Sequence, residues 1–260
     1  MAYEFITVER SGPVTTFTLN RPEVMNALHS PAHFELDEAI NAFAADAEQW
    51  VGIITGAGDR AFSAGNDLKY QASGGKGGRA PSGFGGLTSR FDLTKPMIAA
   101  VNGVAMGGGF EIALACDIIL ASDAAVFALP EPRVGLAALA GGLHRLPRAI
   151  GIKPAMAMIL TARRVSAAEG KALGFVAEVT TPQDLMATAR KWADEICALS
   201  PMSIRASKQA VYQGMDEPSL EAALKGQSRY PAVAALYGSE DFKEGPLAFS
   251  QKRPPKWKGR

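Results

Sequence analysis

Two acidic residues in this 260-residue sequence could act together as an acid and a base. Glu111 lies in the otherwise apolar segment NGVAMGGGFEIALACD, residues 102–117, and Glu131 follows the apolar run VFALP. If both carboxylates faced one apolar pocket, burial and mutual repulsion would push their pKa values apart, leaving one as acid and one as base. Each also has a structural explanation, because a carboxylate can stabilise the dipole at a helix start or be solvated at a strand end.

Three glycines precede the helix that is predicted to carry Glu111. Gly107, Gly108 and Gly109 would let a ligand approach the backbone, and the first N–H groups of a helix have no partners within it. Their spacing matches neither GxGxxG nor a P-loop, which disfavours a nucleotide-phosphate loop. One of these N–H groups could bind a carbonyl oxygen that becomes negative during a reaction. Tight packing of helix against strand would explain the same glycines.

A second N–H donor could come from the segment GAGDRAFSAGNDLKY, residues 56–70. It leaves a predicted buried strand through a glycine turn and exposes the backbone around Ala64, Gly65 and Asn66. An ordinary strand-to-helix loop is the alternative.

The elements that must position these residues are those of an α/β core. A Gly-Pro turn separates two β-rich runs, and a helix follows with Ser30 as predicted N-cap and Pro31 as its first residue. Short apolar runs that end in Gly or Pro predict strands covered on both faces; they lie at residues 51–56, 96–103 and 125–131.

The rest of the chain divides into a loop and a helical part. Residues 73–86 are so rich in glycine that they predict a mobile loop or a lid. Beyond about residue 140 helical patterns dominate, and Ser166 with Glu169 forms a capping-box signature.

Composition narrows the function classes. Lys plus Arg total 27 and Asp plus Glu total 26, so the charge offers no broad attraction to nucleic acid or to an anionic membrane. No secretion signal and no apolar run of roughly 18 residues is visible, so we expect a soluble, cytoplasmic protein. Cys116 and Cys197 are expected to be reduced core residues. The histidines, His29, His33 and His144, have no convergent spacing, and no metal is expected.

Four segments, in order, resemble the enoyl-CoA hydratase (crotonase) family: LNRPEVMNAL, AFSAGNDL, NGVAMGGGFEIALACDIILAS and FALPEPRVGL. The resemblance covers essentially the whole chain, including the closing EGPLAFSQKRPPKW. It implies an α/β fold, a crotonase-like spiral of ββα units, with a helical C-terminal oligomerisation region. We assign the catalytic core to residues 1–198 and the helical region to residues 199–260.

The resemblance also implies roles for the residues above. The thioester carbonyl would lie between the backbone N–H groups of Asn66 and Gly108. Glu111 would act as the base towards water and Glu131 as the acid towards C2 of the acyl group. Because both carboxylates are present, we expect reversible hydration of a 2-trans-enoyl-CoA, with no cofactor, since coenzyme A is part of the substrate.

Coenzyme A would lie along RPEVMNAL and AFSAGNDLK. The expected contacts are Met25, Ala27, Ala64, Asp67, Leu68, Lys69 and Gly107, with Lys252 a further candidate near the phosphates. Lys69 could equally be an exposed helix lysine. Residues 136–139 and Asn66 depart from the usual family pattern. The resemblance therefore does not fix which acyl group the substrate carries.

Several alternatives therefore remain. An enoyl-CoA isomerase or a dehydratase of a polar acyl-CoA, of the carnitinyl-CoA dehydratase type, would use the same scaffold. A non-catalytic RNA-associating relative belongs to another class, against which the balanced charge counts. The resemblance implies a homotrimer or homohexamer with an acyl-CoA substrate and with neither nucleic acid nor a membrane as partner.

Overall fold

A computed structural model describes residues 3–75, 77–78 and 80–260 of the chain. Its larger sheet has six strands in the order β1-β2-β3-β5-β7-β10. The first two form an antiparallel hairpin and every later neighbour pairs in parallel. The strands are β1 (Ile6–Ser11), β2 (Val14–Leu19), β3 (Val51–Gly56), β5 (Met97–Val101), β7 (Ile118–Ser122) and β10 (Glu178–Thr180).

A smaller sheet of four strands lies beside it, in the order β4-β6-β8-β9. Its strands are β4 (Ala61–Ser63), β6 (Val104–Met106), β8 (Val126–Ala128) and β9 (Val165–Ser166). After each of β3, β5 and β7 the chain adds one strand to this sheet and then forms a helix. The repeated strand, strand and helix confirm the predicted spiral of ββα units.

Helices cover the sheets and form most of the chain after residue 140. They are α1 (Ser30–Ala45), α2 (Leu68–Ala72), α3 (Gly108–Ala115), α4 (Gly142–Ile150), α5 (Ile152–Thr161), α6 (Ala167–Leu173), α7 (Leu185–Cys197), α8 (Pro201–Asp216), α9 (Leu220–Gly226), α10 (Pro231–Gly238) and α11 (Glu240–Ser250). Short 3-10 turns lie at Pro22–Val24, Phe84–Gly86, Glu131–Val134 and Gln227–Arg229. Within the described residues, no helix combines the length and the apolar character that a membrane crossing needs.

The predicted start of the first helix is wrong by one residue. His29 is the N-cap of α1, so Ser30 is its first residue and Pro31 its second. Proline fits there because the second N–H of a helix also lacks an intrahelical acceptor. Half of the capping box predicted at α6 is confirmed: the Ser166 hydroxyl accepts from the Glu169 N–H at 3.2 Å, whereas Glu169 Oε1 pairs with Arg163 at 2.6 Å.

Five strands have no counterpart among the predicted ones: β4, β6, β7, β9 and β10. Four of them contain only two or three residues, too few for a period-two pattern to stand out. The predicted strands at 51–56, 96–103 and 125–131 are present as β3, β5 and β8, the last two in shortened form.

The glycine-rich segment has two parts. Lys76 and Arg79, which fall within the predicted loop, lie outside the described residues. Residues 80–86 pack against α1: the Gly85 N–H donates to His33 Nδ1 at 2.9 Å, and Gly85 and Gly86 are buried. Composition gave no sign of this order, because the partners belong to a helix 50 residues earlier in the chain.

The core occupies both faces of the larger sheet. Neighbouring residues of β3 point to opposite sides: Ile54 joins a cluster with Phe17 and Phe110, and Ile53 joins one that packs on Leu185 of α7. All six residues of β3 are buried. This confirms that the strand is covered on both faces, as its unbroken apolar run predicts.

A buried ion pair joins the segment after residue 86 to α1. The Arg90 guanidinium donates to the Gly86 carbonyl, to the Asp37 carbonyl and side chain, and to Asn41 Oδ1 at 2.7 Å. The Arg90 and Asp37 side chains are 4% and 10% exposed. Removal of Arg90 would leave a buried carboxylate without its counter-charge.

We therefore expect Arg90→Met to lower the free energy of unfolding by about 3–5 kcal/mol, measured by urea denaturation. Lys191→Met is the control, because Lys191 lies 4.0 Å from Glu195 in an exposed pair. It should change the unfolding free energy by less than about 0.5 kcal/mol. Equal losses in the two variants would contradict the importance given to the buried pair.

Candidate active site

The carboxyl ends of three neighbouring strands carry the predicted site. The parallel strands β4, β6 and β8 lie side by side, and their ends lead to residues 64–66, to the start of α3 and to Glu131. Gly107 N–H donates to the Ala128 carbonyl at 3.0 Å, which links the last two turns. Parallel strands thus bring together three segments that are far apart in sequence, at the edge where α/β folds commonly bind ligands.

The turn after β4 approaches the start of α3 closely. Gly65 has φ +90°, and a Cβ there would lie 2.9 Å from the Gly108 nitrogen and 2.6 Å from the Met106 carbonyl oxygen. Two hydrogen bonds to Leu28 fix this turn: Leu28 N–H donates to Gly65 O at 2.8 Å, and Asp67 N–H donates to Leu28 O at 2.9 Å. Only glycine fits at position 65, so Asn66 is held next to Gly108.

Two backbone N–H groups remain available at this junction. Neither the Asn66 nor the Gly108 N–H has an acceptor among the residues that the structure describes. Gly108 is buried, and a buried N–H without a partner is rare, which marks it as a donor for a ligand. As the first residue of α3, Gly108 also lies at the positive end of the helix dipole. The pair could bind an oxygen that carries negative charge.

Glu111 lies in the first turn of α3 and is only 3% exposed. Its Oε1 accepts from the Gly142 N–H at 2.9 Å, at the start of α4. Burial, and to a smaller extent the charge of Glu131, raises the pKa of this carboxyl to about 7. The N–H groups of Gly142 and Ala140 and the charge of Arg145 act in the opposite direction, because they stabilise the ionised form.

Glu131 begins a 3-10 turn, and Leu129 and Pro130 connect it to the strand β8. Its carboxyl packs on Gly107, with Oε1 2.8 Å from the place a Cβ of Gly107 would take. Its Oε2 is buried and has no hydrogen-bond partner among the described residues. Burial raises the pKa of Glu131, and its own backbone N–H acts in the opposite direction.

The two carboxyls therefore have different surroundings. Hydrogen bonds from backbone N–H groups support the anion of Glu111, whereas the unpartnered oxygen of Glu131 is better suited to hold a proton. This arrangement can take a proton at one place and deliver one at another, beside two free N–H donors.

Most of the predicted coenzyme A contacts lie around the turn after β4. Ala64 N–H donates to the Met25 carbonyl at 2.9 Å, and Ala64, Leu68 and Lys69 are exposed. Asp67 is buried, caps α2 and pairs with Arg21 at 2.9 Å, so its carboxylate already has partners.

The remaining predicted contacts differ in position. Ala27 is buried and its carbonyl accepts from Arg21. Gly107 lies against Glu131, in the site itself. Lys252 follows α11 and is exposed, and its place near a phosphate stays a prediction.

The three histidines have other surroundings than the carboxyls of Glu111 and Glu131. His29 packs edge-on between Phe5 and Tyr70, and His33 receives the Gly85 N–H and contacts Phe84. His144 is exposed on α4. In the part of the chain that the structure describes, no group of three or more His, Cys, Asp or Glu side chains could hold a metal ion.

Sequence reasoning missed the parts of the site that α4 and the segment at residue 84 contribute. The Phe84 ring lies against Gly108, and Gly142 and Arg145 flank Glu111. The one available signal was the Gly-Gly pair at the start of α4. Like the glycines before α3, it offers N–H groups that have no acceptor within the helix. Residues 136–139 present both exposed and buried apolar groups: Leu136 and Leu139 are 48% and 71% exposed, and Ala138 is buried.

The raised pKa of Glu111 predicts a pH-dependent effect on stability. Above its ordinary value of 4.5 and up to about 7, the folded protein keeps a proton that the unfolded chain releases. The free energy of unfolding therefore falls as pH rises through this window. We expect Glu111→Gln to be more stable than the unsubstituted protein by about 3 kcal/mol near pH 8 and by about 1 kcal/mol near pH 5.

Urea denaturation at both pH values measures this difference. The control is Glu195→Gln, on an exposed face of α7, which should change the unfolding free energy by less than about 0.5 kcal/mol at either pH. A Glu111→Gln gain that is equal at both pH values would contradict the assignment of the raised pKa.

Several known proteins resemble this chain in sequence and in structure. The chain is 43% identical to the carnitinyl-CoA dehydratase of Salmonella arizonae over 98% of this chain and 99% of that protein. The solved structure of enoyl-CoA hydratase EchA1 from Mycobacterium marinum superposes with a TM-score of 0.92, at 37% identity over 98% of this chain and 99% of that one. A carnitinyl-CoA hydratase from Mycobacterium avium gives a TM-score of 0.78, at 37% identity over 98% and 99% of the two chains.

The match to a family extends over nearly the whole sequence. Residues 9–260 fit the description enoyl-CoA hydratase/isomerase, and the spiral of ββα units is the fold of the solved relatives. The chain belongs to the enoyl-CoA hydratase/isomerase family.

Proposed function

We propose that the protein catalyses the reversible addition of water to a 2-trans-enoyl-CoA, giving the 3-hydroxyacyl-CoA. One observation supports this most directly: the buried Glu111 and the half-buried Glu131, both with raised pKa values, lie on the turns that carry two N–H groups without a partner of their own. Neither a double-bond shift alone nor a binding role needs both carboxyls.

The two N–H groups would hold the thioester oxygen. When water adds at C3, negative charge moves through C2 and the carbonyl carbon to this oxygen, so an enolate forms. Donors already fixed at Asn66 and Gly108 stabilise that charge without having to reorganise, and the loss of one such donor typically costs about 3–4 kcal/mol of barrier. The dipole of α3 acts in the same direction.

The carboxyls would move the protons. Glu111, as the anion, takes a proton from water while the water oxygen bonds to C3. Glu131, as the acid, gives its proton to C2 of the enolate, and the carbonyl is restored. The surroundings support these roles, because N–H donors stabilise the Glu111 anion and the Glu131 Oε2 has no donor. Dehydration would run through the same steps in reverse.

The carrier part of the substrate would follow the turn after β4. The expected contacts are Met25, Ala27, Ala64, Asp67, Leu68 and Lys69, with Gly107 facing the acyl end. Because the Asp67 side chain is already paired, its part in this binding would come from its backbone.

Replacement of either carboxyl should strongly reduce turnover. We expect Glu111→Gln and Glu131→Gln each to lower kcat for crotonyl-CoA by about 10²–10⁴-fold, because each removes one proton-transfer group. Loss of the conjugated enoyl thioester absorbance measures the rate, and Glu195→Gln should retain full activity. If both site variants hydrate as fast as the unsubstituted protein, the two-carboxyl mechanism is wrong.

Double-bond migration without water uptake would select the isomerase, and salt-sensitive RNA retention without turnover would select the binding protein.

The dehydration of a polar acyl-CoA is a second candidate. Relatives 42–43% identical over nearly the whole chain are named carnitinyl-CoA dehydratase. Asn66 supports this reading, because its exposed side chain bonds to Gln71 Oε1 at 2.7 Å and places amide groups beside the proposed thioester site.

Relative specificity distinguishes the two candidates. If the substrate is polar, kcat/KM for dehydration of carnitinyl-CoA should exceed that for 3-hydroxybutyryl-CoA by at least about tenfold. Asn66→Ala should lower this ratio, because it removes amide contacts while it keeps the backbone N–H. Glu195→Gln, on the exposed face of α7, is the control. A ratio that favours 3-hydroxybutyryl-CoA would select the simple enoyl-CoA hydratase.

Assembly and location extend the proposal. Exposed apolar side chains on α8 and α9, among them Val211, Met215 and Leu224, support association into a homotrimer or homohexamer. We propose a cytoplasmic enzyme that works without a separate cofactor, since coenzyme A enters with the substrate.

A further inference from the structure

Arg145 folds back onto the turn that holds Glu111. It is the fourth residue of α4. Its Nη1 lies against Gly141, the N-cap of the helix, in the place that a Cβ there would occupy. Its Nη2 donates to the Thr88 carbonyl at 2.9 Å, and the guanidinium lies 5.9 Å from the centre of the Phe91 ring. The side chain is thus held by one hydrogen bond at Nη2 and packs against Gly141 through Nη1.

The turn beneath this guanidinium supplies the hydrogen bond to Glu111. Gly141 has φ +110°, a conformation that favours glycine. Its carbonyl accepts from the backbone N–H of Arg145 at 2.8 Å. The next residue, Gly142, donates its N–H to Glu111 Oε1 at 2.9 Å. Any movement of the turn would therefore change the position of the carboxylate.

The charge of Arg145 also acts on this carboxylate. The guanidinium acts to lower the pKa of Glu111. Burial lowers the pKa of Arg145, and the charge of Glu111 offsets part of that effect. The other groups that act on Arg145 are Tyr212 of α8, Cys116 at the end of α3 and Arg148 of α4. The charge of Glu131 acts on Glu111 in the opposite sense and raises its pKa.

No direct ion pair neutralises Arg145 within the described part of the chain. Half-buried and fixed by the Thr88 carbonyl, it presents a positive charge whose field reaches Glu111 with less screening than an exposed arginine would have.

We propose that Arg145 is a positioning residue for the hydration reaction: it braces the turn at residues 140–142 that holds the Glu111 carboxylate, and its positive charge acts on that carboxylate. The inference rests on the function proposed above. It assigns Arg145 no contact with substrate; its effect passes through the turn and through its charge.

A purely structural role is the competing explanation, because Arg145 also joins α4 to the segment at Thr88 and Phe91. The two explanations differ in pH dependence. If Arg145 only joins two segments, its loss would lower stability or kcat without moving the pH at which Glu111 titrates.

The test compares Arg145→Gln, Arg145→Lys and Arg148→Gln by the pH dependence of kcat/KM for crotonyl-CoA hydration. Arg145→Gln should move the acid limb upward by about one pH unit, so that well below the limb kcat/KM falls a further tenfold or so. Arg145→Lys keeps the charge and should leave the limb within about 0.3 units. Arg148→Gln removes the same charge from an exposed position one turn later and should have no effect.

The proposal is overturned if Arg145→Gln keeps the acid limb of the unsubstituted protein, or if the lysine variant shifts as far as the glutamine variant. If Arg145→Gln does not fold, the lysine variant still decides: its limb must stay in place while kcat falls, since lysine cannot make both contacts of the guanidinium fork. A lysine variant identical to the unsubstituted protein in kcat would exclude the brace.

A measurement without substrate separates this inference from the proposed function. The pH window in which Glu111 destabilises the fold should extend about one unit higher in Arg145→Gln, as urea denaturation between pH 5 and 9 would show. If the unsubstituted protein hydrates no enoyl-CoA, the proposed function fails, and this readout still tests whether Arg145 sets the ionisation of Glu111.

Discussion

The Glu111 carboxylate loses most of its contact with water between α3 and the start of α4, and the arrangement of the site follows from that loss. An isolated charge in such a place would be neutralised by protonation. The Gly142 N–H and the nearby guanidinium of Arg145 offset part of this tendency, so the carboxyl titrates near neutral pH rather than remaining permanently protonated. A proton acceptor for chemistry at neutral pH needs this compromise.

Two helix starts meet around this carboxylate and serve different purposes. The first N–H of α3 is free for a ligand, whereas the first N–H of α4 is used to hold Glu111. Glycine stands at both helix caps, and this lets the turns come close to other groups. The smaller sheet sets their distance to the rest of the site, because its parallel strands end side by side. The backbone at these two helix starts thus supplies hydrogen-bond donors both for a ligand and for Glu111, and few polar side chains are needed.

Much of this could be predicted from the sequence where the information is local. Unbroken apolar runs predict β3, β5 and β8, and the glycines with Glu111 predict a helix start that bears a carboxylate. The pairing with Glu131 and the spiral fold needed the resemblance to a family. The contacts of Glu111 with Gly142 and of Phe84 with Gly108 could not be predicted, because each joins segments more than 20 residues apart and neither has a periodic pattern.

The glycines around the site divide it into positions that can change and positions that cannot. A Cβ at Gly65 would meet backbone, at Gly107 the Glu131 carboxyl, at Gly108 the Phe84 ring and at Gly109 the Ser63 backbone. Asn66 and Leu139, by contrast, are exposed and can take other side chains without collision. The part proposed to hold the thioester is therefore closed to substitution, while the surface towards the acyl group is open to it. A scaffold with this division can acquire new acyl substrates through substitutions at exposed positions. The glycine-rich turns, which are proposed to stabilise the charge, would stay the same.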